Sequence, residues 1–285
     1  MQSANMLLTA KQIEQYERDG FLVIPDFVNS ALCDLLVQRA NNLIEQFEPS
    51  SIKVYFSAQD QSHADNPYFL DSGNKIHFFF EADALDENGD LKTEKKLSIN
   101  KIGHALHDLD PVFNSFSRMH KIAALVQDLK VRDPLLVQSM YIFKQPFIGG
   151  ELNCHQDSTY LYVEKKPVVG LWFALQDATL QNGCLWAIPG GQHIPLKARA
   201  IRTKQNKMEM AVYDTSPWPL EKMIPLEVPK GSLVVLHGLL PHMSKENASA
   251  QSRHAYILHV MSSEGVYAAN NWLRRASAMP FQGFI

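Results

Sequence analysis

Three residues in the middle of the chain have the types and spacing to hold a metal ion: His155 and Asp157, either side of Gln156, and His242 further on. Residues two apart on a strand point to the same face. A His-x-Asp pattern at a strand end, just after Gly149-Gly150, can therefore offer an imidazole and a carboxylate to one ion from one side. A second imidazole, from His237-Gly238-Leu239-Leu240-Pro241-His242, completes two histidines and one carboxylate. That set covers one face of the ion and leaves the other positions open, the arrangement non-haem Fe(II) oxygenases use for cosubstrate and dioxygen. Ser244 comes two residues after His242 and Arg253 eleven after, in a stretch from Ser252 to Tyr256 that reads as a strand. Arginine grips a carboxylate with two parallel hydrogen bonds. An arginine carried inward beside a metal predicts an anionic cosubstrate reaching from metal to guanidinium, with the Ser244 hydroxyl alongside.

Each part has a plainer reading. His-x-Asp arises by chance in a chain with 11 histidines, and a lone histidine on an apolar strand is usually a satisfied core or surface residue. Arg253 alone could be a surface arginine. His237 competes with His242 as the second imidazole. His104, His107, His254 and His259 have no identifiable metal-ligand partner in the sequence, and Cys154 should face away from His155 and pack. The combination carries the prediction.

The elements that must position these residues are legible in outline. Thr9-Ala10-Lys11-Gln12 reads as a capping box opening a helix that ends near Gly20. Phe21 to Ile24 is a short strand stopped by Pro25. Asn29 or Ser30 caps a longer helix whose Leu32, Leu35, Leu36, Ala40, Leu43 and Phe47 form one apolar stripe. Residues 49–73 read as polar and irregular. Ile76 to Phe80 is a strand with a core Phe78-Phe79-Phe80 run, and Asp83 to Lys96 a solvated loop turning at Asn88-Gly89. Leu106 to Leu129 is helical, broken near Asp110-Pro111. From Leu135 onward short strand patterns follow closely: Leu135 to Lys144, Pro167 to Leu175, Cys184 to Ile188, Glu209 to Tyr213, Ser232 to His237 and His254 to Met261. Glycine turns separate them. The pattern predicts a mainly β fold, an antiparallel barrel or jelly roll, with helices from the N-terminal half. No repeat or low-complexity linker divides the chain, so residues 1–285 are expected to form a single domain.

These motifs resemble the phytanoyl-CoA dioxygenase family of Fe(II)/2-oxoglutarate oxygenases. The resemblance runs over nearly the whole chain. It is carried by Leu8-Thr9 through Asp19-Gly20-Phe21-Leu22-Val23-Ile24-Pro25, by His155-Gln156-Asp157 with the family's middle glutamine, and by Asp177-Ala178-Thr179. Asn182-Gly183-Cys184-Leu185-Trp186-Ala187-Ile188-Pro189-Gly190 and the spacing of His242, Ser244 and Arg253 complete it. The resemblance implies a double-stranded β-helix, the cupin-type jelly roll, with metal ligands at one open end. It implies Fe(II) held by His155, Asp157 and His242, with 2-oxoglutarate and O2 as cosubstrates. It also implies that Lys101, Met140 and Trp172, with Ser244 and Arg253, contact the 2-oxo acid; from composition alone, a strand Met or Trp is core and a lone Lys is solvated. The family spacing favours His242 over His237. Related halogenases carry Gly or Ala in place of the carboxylate, so Asp157 favours hydroxylation. The expected activity is hydroxylation of a small organic substrate, with succinate and CO2 formed. The alternative is a silent or Zn-carrying cupin-type metal-binding protein.

Composition bounds the rest. Apolar residues are 46%, charged residues 20% and net charge −3, ordinary values that give no reason to expect nucleic acid or an acidic membrane as partner. Three scattered cysteines (Cys33, Cys154, Cys184) argue against a disulfide framework and fit a reducing, cytoplasmic setting. No apolar run approaches a membrane span, the start lacks a signal pattern, and the end is not a peroxisomal signal. Lys197, Arg199, Arg202, Lys204 and Lys207 form a basic stretch that could receive a phosphate, as on coenzyme A, or simply face solvent. His193 is expected on a loop at the site mouth.

Overall fold

The protein is described from a computed structural model over residues 6–49, 55–56 and 66–284. Most of the expected irregular stretch, residues 50–54 and 57–65, lies outside the described residues. Helix α1 (Ala10–Asp19) starts on the Thr9 capping box: the hydroxyl accepts from the Gln12 amide, and Gln12 Oε1 accepts from the Thr9 amide. Gly20 ends it at φ 78°. Strand β1 (Phe21–Ile24) follows, then α2 (Ser30–Gln46), capped by the Asn29 side chain on the Leu32 amide. The apolar stripe of α2 differs from the expected one. Cys33, Leu36, Ala40 and Ile44 are buried, while Leu35 is 45% exposed. Leu35 lies one residue, about 100°, away from Leu36, which is enough to turn it off the packed face.

Eight strands form a large sheet: β1, β2 (Tyr55–Phe56), β3 (Ile76–Glu81), β4 (Ile99–His104), β5 (Leu135–Ile142), β8 (Val169–Ala174), β13 (Leu233–His237) and β15 (Ala255–Met261). Their order is β1-β13-β8-β15-β5-β4-β3-β2, antiparallel except for β2 with β3. A four-stranded antiparallel sheet, β12-β9-β14-β6, faces it: β6 (Leu152–His155), β9 (Leu185–Ala187), β12 (Ile224–Leu226) and β14 (His242–Ser244). Two small pairs complete the strands, β7 (Val163–Glu164) with β16 (Val266–Tyr267) and β10 (Ala198–Arg202) with β11 (Met208–Val212). From β5 to β15 the chain passes back and forth between the two large layers, the winding of a double-stranded β-helix.

The period of two on the strands sorts side chains into two cores. On β15, Tyr256, Leu258 and Val260 join a cluster with helical residues such as Leu36, Phe116 and Leu125, on the outer face of the large sheet. Ala255 and Ile257 turn the other way and meet Trp172, Leu185, Leu226 and Val234 between the sheets. The helices covering the outer face, besides α1 and α2, are α4 (Lys95–Ser98), α5 (Leu106–Leu109), α6 (Pro111–Ser117) and α7 (His120–Asp128), while the short α3 (Pro67–Leu70) packs its Phe69 and Leu70 in a third cluster with Phe79 and Trp272. The break expected at Pro111 is present, with Asp110 capping α6 through the Val112 and Phe113 amides. A second break at Arg118-Met119 separates α6 from α7.

Candidate active site

His155 ends β6, and Asp157 opens a 3-10 turn, Asp157–Thr159. The two are therefore not neighbours on one strand face, as the spacing suggested. The turn, not the pleat, brings the carboxylate round beneath the imidazole. His242 begins β14, which pairs with β6 so that His242 stands directly opposite His155. One ligand atom from each of His155, Asp157 and His242 lies within 4.8 Å of the others. Each Nε2 is 3.7 Å from Asp157 Oδ1.

The hydrogen bonds behind these atoms fix what they offer. His155 Nδ1 is 2.8 Å from the Asn153 carbonyl and His242 Nδ1 2.9 Å from the Leu240 carbonyl. A carbonyl can only accept, so each Nδ1 carries the proton and each Nε2 presents a lone pair. Burial lowers the His242 pKa to about 4, which keeps that imidazole neutral at physiological pH. Burial alone would raise the Asp157 carboxyl, but His259, whose Nε2 faces Oδ2, outweighs it and holds the pKa well below the usual range. Two lone pairs and a carboxylate oxygen thus converge with no proton to share. That donor set suits a divalent cation with N and O preferences, and His155 and His242 have the second-atom hydrogen bonds that orient metal-binding imidazoles.

Three supports were not legible beforehand. His259, on β15, places Nε2 3.2 Å from Asp157 Oδ2, the oxygen turned away from His155 and His242. Its signal was its spacing: Arg253, Ala255, Ile257 and His259 are each two apart. Gly170 on β8 gives the carboxylate room, because a Cβ there would lie 3.1 Å from Asp157 Oδ2. Gln156 is fully buried and ties loops together, donating to the Leu239 and Ile194 carbonyls and accepting from the Lys197 amide.

From this end a row of cross-strand neighbours crosses the inner face of the large sheet: Gly103, Met140, Ile257, Trp172 and Val234. Two residues toward the head of β15 comes the row Lys101, Ile142, Ala255 and Ala174. Beyond it lies Arg253, 2% exposed, just before the strand and not within it. Its Cζ is 5.2 Å from the Trp172 ring, and neither Nε nor Nη1 has a hydrogen-bond partner. Burial lowers its pKa to about 10, so it stays charged at pH 7. Lys101 is buried, its Nζ 5.5 and 5.8 Å from the Phe79 and Phe69 rings, and burial takes its pKa down to about 7. Ser244 lies two residues from His242 on β14, about 7 Å along the strand. A five-carbon dicarboxylate spans a similar length. The fold thus gathers Lys101, Met140, Trp172, Ser244 and Arg253 along one corridor whose other end is His155, Asp157 and His242.

Other expectations resolve differently. His237 is apart from the three converging side chains: its Nδ1 accepts from the Leu239 amide, and its ring lies 6.4 Å from Tyr16. His193 lies in a 3-10 turn, Gly191–His193, with Nε2 3.3 Å from Gln192 Nε2. Cys154 is half-buried, and burial pushes its thiol up to about 12. The basic stretch is a hairpin, β10 and β11, and not one charged face. Arg199 lies over the Tyr162 ring and Arg202 bonds the Leu70 carbonyl and Asp71; three apart on a strand, they point to opposite sides. Lys197 bonds Ser216 and Asp214.

A phytanoyl-CoA dioxygenase (PhyH) family model matches residues 16–255, a span that contains every one of these corridor residues. The chain belongs to the phytanoyl-CoA dioxygenase family. Phytanoyl-CoA dioxygenase of Arabidopsis thaliana is 44% identical over 271 residues, 94% of each chain. Phytanoyl-CoA dioxygenase domain-containing protein 1 of Rattus norvegicus is 41% identical over 283 residues, covering 96% of this chain and 97% of the relative. Among solved structures, EctD from S. alaskensis with 2-oxoglutarate and 5-hydroxyectoine aligns at TM-score 0.65 and 17% identity, over 97% of this chain and 86% of that one. The carbocyclase SnoK from nogalamycin biosynthesis aligns at TM-score 0.62 and 14% identity, over 98% and 99%. At such identities the structural likeness speaks for the shared fold. No helix among the described residues is long and apolar enough to cross a membrane.

Proposed function

We propose that this family member is an Fe(II)- and 2-oxoglutarate-dependent dioxygenase that hydroxylates a small organic molecule. The observation that carries the reading is the polarity of the corridor, with converging lone pairs at Asp157 and buried cationic donors at Arg253. His155, Asp157 and His242 would hold the iron, with Asp157 fixed by His259. Lys101, Ser244 and Arg253 would take the distal carboxylate, with Met140 and Trp172 walling the chain between. Iron bound there supplies the dioxygen chemistry, in which 2-oxoglutarate gives succinate and CO2 and one oxygen atom enters a substrate C–H bond. The protein binds, orients and keeps the corridor dry.

Relatives named phytanoyl-CoA dioxygenase make acyl-CoA thioesters the first substrate class to screen. The basic hairpin gives that class little independent support, because Lys197, Arg199 and Arg202 are committed to internal partners. Three free cysteines support a cytoplasmic setting as part of the same proposal. The test is succinate formation from 2-oxoglutarate by anaerobically purified, Fe(II)-loaded protein on exposure to air. Slow turnover requiring iron and Arg253 is expected. Absence of turnover together with absence of 2-oxoglutarate binding by calorimetry would leave a silent metal-binding barrel.

A further inference from the structure

Lys144 follows β5 and is only 3% exposed. Its φ of 41° lies in the left-handed region that side chains rarely adopt, so its placement is specified by its surroundings. Gly183 specifies part of it: a Cβ there would fall 2.4 Å from Lys144 Cε, so the lysine stem lies across the bare backbone of the Asn182-Gly183 turn. Lys144 Nζ donates to the Gly150 carbonyl at 2.7 Å and to Ser244 Oγ at 2.9 Å. The Lys144 carbonyl accepts from the Arg253 amide at 3.2 Å. One lysine thus touches two of the three residues assigned to the distal carboxylate, Ser244 and Arg253.

The direction of these bonds matters. A hydroxyl has one proton, and an ammonium can only donate. With Lys144 Nζ donating to Ser244 Oγ, the serine's proton must go elsewhere. Both Nζ contacts are neutral oxygens, and burial together with the Arg253 charge works against the ammonium, with Glu81, Glu151 and Glu246 in its favour. A second buried cation beside Arg253 raises the cost of that end and is offset by an anion placed between them.

We propose that Lys144 is a positioning residue that sets this end of the corridor for a dicarboxylate: seated on Gly183, it takes Ser244 Oγ as acceptor and leaves the serine proton to the carboxylate that Arg253 faces. This rests on the cosubstrate reading above. The experiment compares 2-oxoglutarate with 2-oxopentanoate, the same chain length without the distal carboxylate, on wild-type protein, Lys144→Met, Ser244→Ala and the double variant. Binding is followed by calorimetry and turnover by CO2 release, with metal affinity and melting temperature as controls. Each single variant is expected to lose about tenfold or more of the preference for the diacid. The loss should appear in KM and not in kcat, with metal affinity unchanged, and the double variant should be no worse than the weaker single one. A purely structural lysine would change melting temperature without changing the preference. Ser244→Ala removes only a hydroxyl, so it reports even where Lys144→Met fails to fold. Wild-type preference retained in Ser244→Ala, or in a folded Lys144→Met, overturns the positioning role. Wild-type protein that binds no 2-oxoglutarate overturns the cosubstrate reading itself.

Discussion

The two ends of the corridor are built from opposite inventories. Around Asp157 the inward atoms are acceptors, the Nε2 lone pairs of His155 and His242 and a carboxylate oxygen. Around Arg253 they are donors and cations, the guanidinium and Lys144, with Lys101 on the same inner face of the large sheet. Both ends are withdrawn from water, where unmatched polarity is expensive. The basic hairpin provides the contrast. It has more formal charge in sequence, yet Arg202 is paired with Asp71 and the Leu70 carbonyl, and Lys197 with Asp214 and Ser216, so much of that charge is spent within the fold. The sign of an unmatched, buried surplus tells more about a ligand than the number of charges does.

The largest effect should come from the acceptor end. Asp157→Ala is expected to take 2-oxoglutarate-dependent CO2 release to background while leaving the melting temperature within a few degrees. Full activity in that variant would end the triad assignment. At the donor end, Arg253→Met should raise the Kd for 2-oxoglutarate by about a hundredfold, the cost of leaving one carboxylate unpaired in a dry site. Its metal affinity should stay at the wild-type value; an equal loss of metal would mean that the two ends are not separable. His259→Leu should do the reverse, weakening metal affinity by about 10- to 100-fold, as loss of an outer hydrogen bond to a ligand does.

Smaller effects come with pH. Burial lowers Lys101 and Lys144 to about 7, against about 10.5 for a free lysine. A bound carboxylate favours their charged forms, so 2-oxoglutarate affinity should be full below pH 7 and decline by a few-fold per unit as pH rises above it. Arg253, at about 10, stays charged through that window. Calorimetry from pH 6 to 9 reads this directly, and an affinity that rose with pH would contradict the charge assignment. The smallest change is expected from Lys204→Ala with Lys207→Ala on the hairpin: 2-oxoglutarate affinity within error of wild type. A measurable loss there would bring the hairpin into the site and blur the contrast.

Side-chain types and their spacing were enough to find the acceptor end. Two imidazoles and a carboxylate form a recognisable ligand set wherever the backbone places them, and the capping box, the Pro111 break and the period-two runs mark elements by local chemistry alone. The strands carrying Lys101 and His242 were less legible. β14 is short, and both strands contain polar residues that face inward, where alternation normally predicts solvent. His259 and Lys144 show the limit most clearly. A histidine on an apolar strand and a lysine after one have no local mark of function.

What the sequence determined by itself was the candidate ligand set and the β-rich winding, because each depends on residue type and short-range period. Tertiary structure alone decided which acceptors and donors are left unmatched. The His155–Asp157 pair converges through a turn, His259 reaches Asp157 from the opposite sheet, and Lys144 meets Ser244 across a separation of 100 residues. Hydrogen-bond satisfaction depends on which distant atoms come within about 3 Å, and no local pattern encodes that distance.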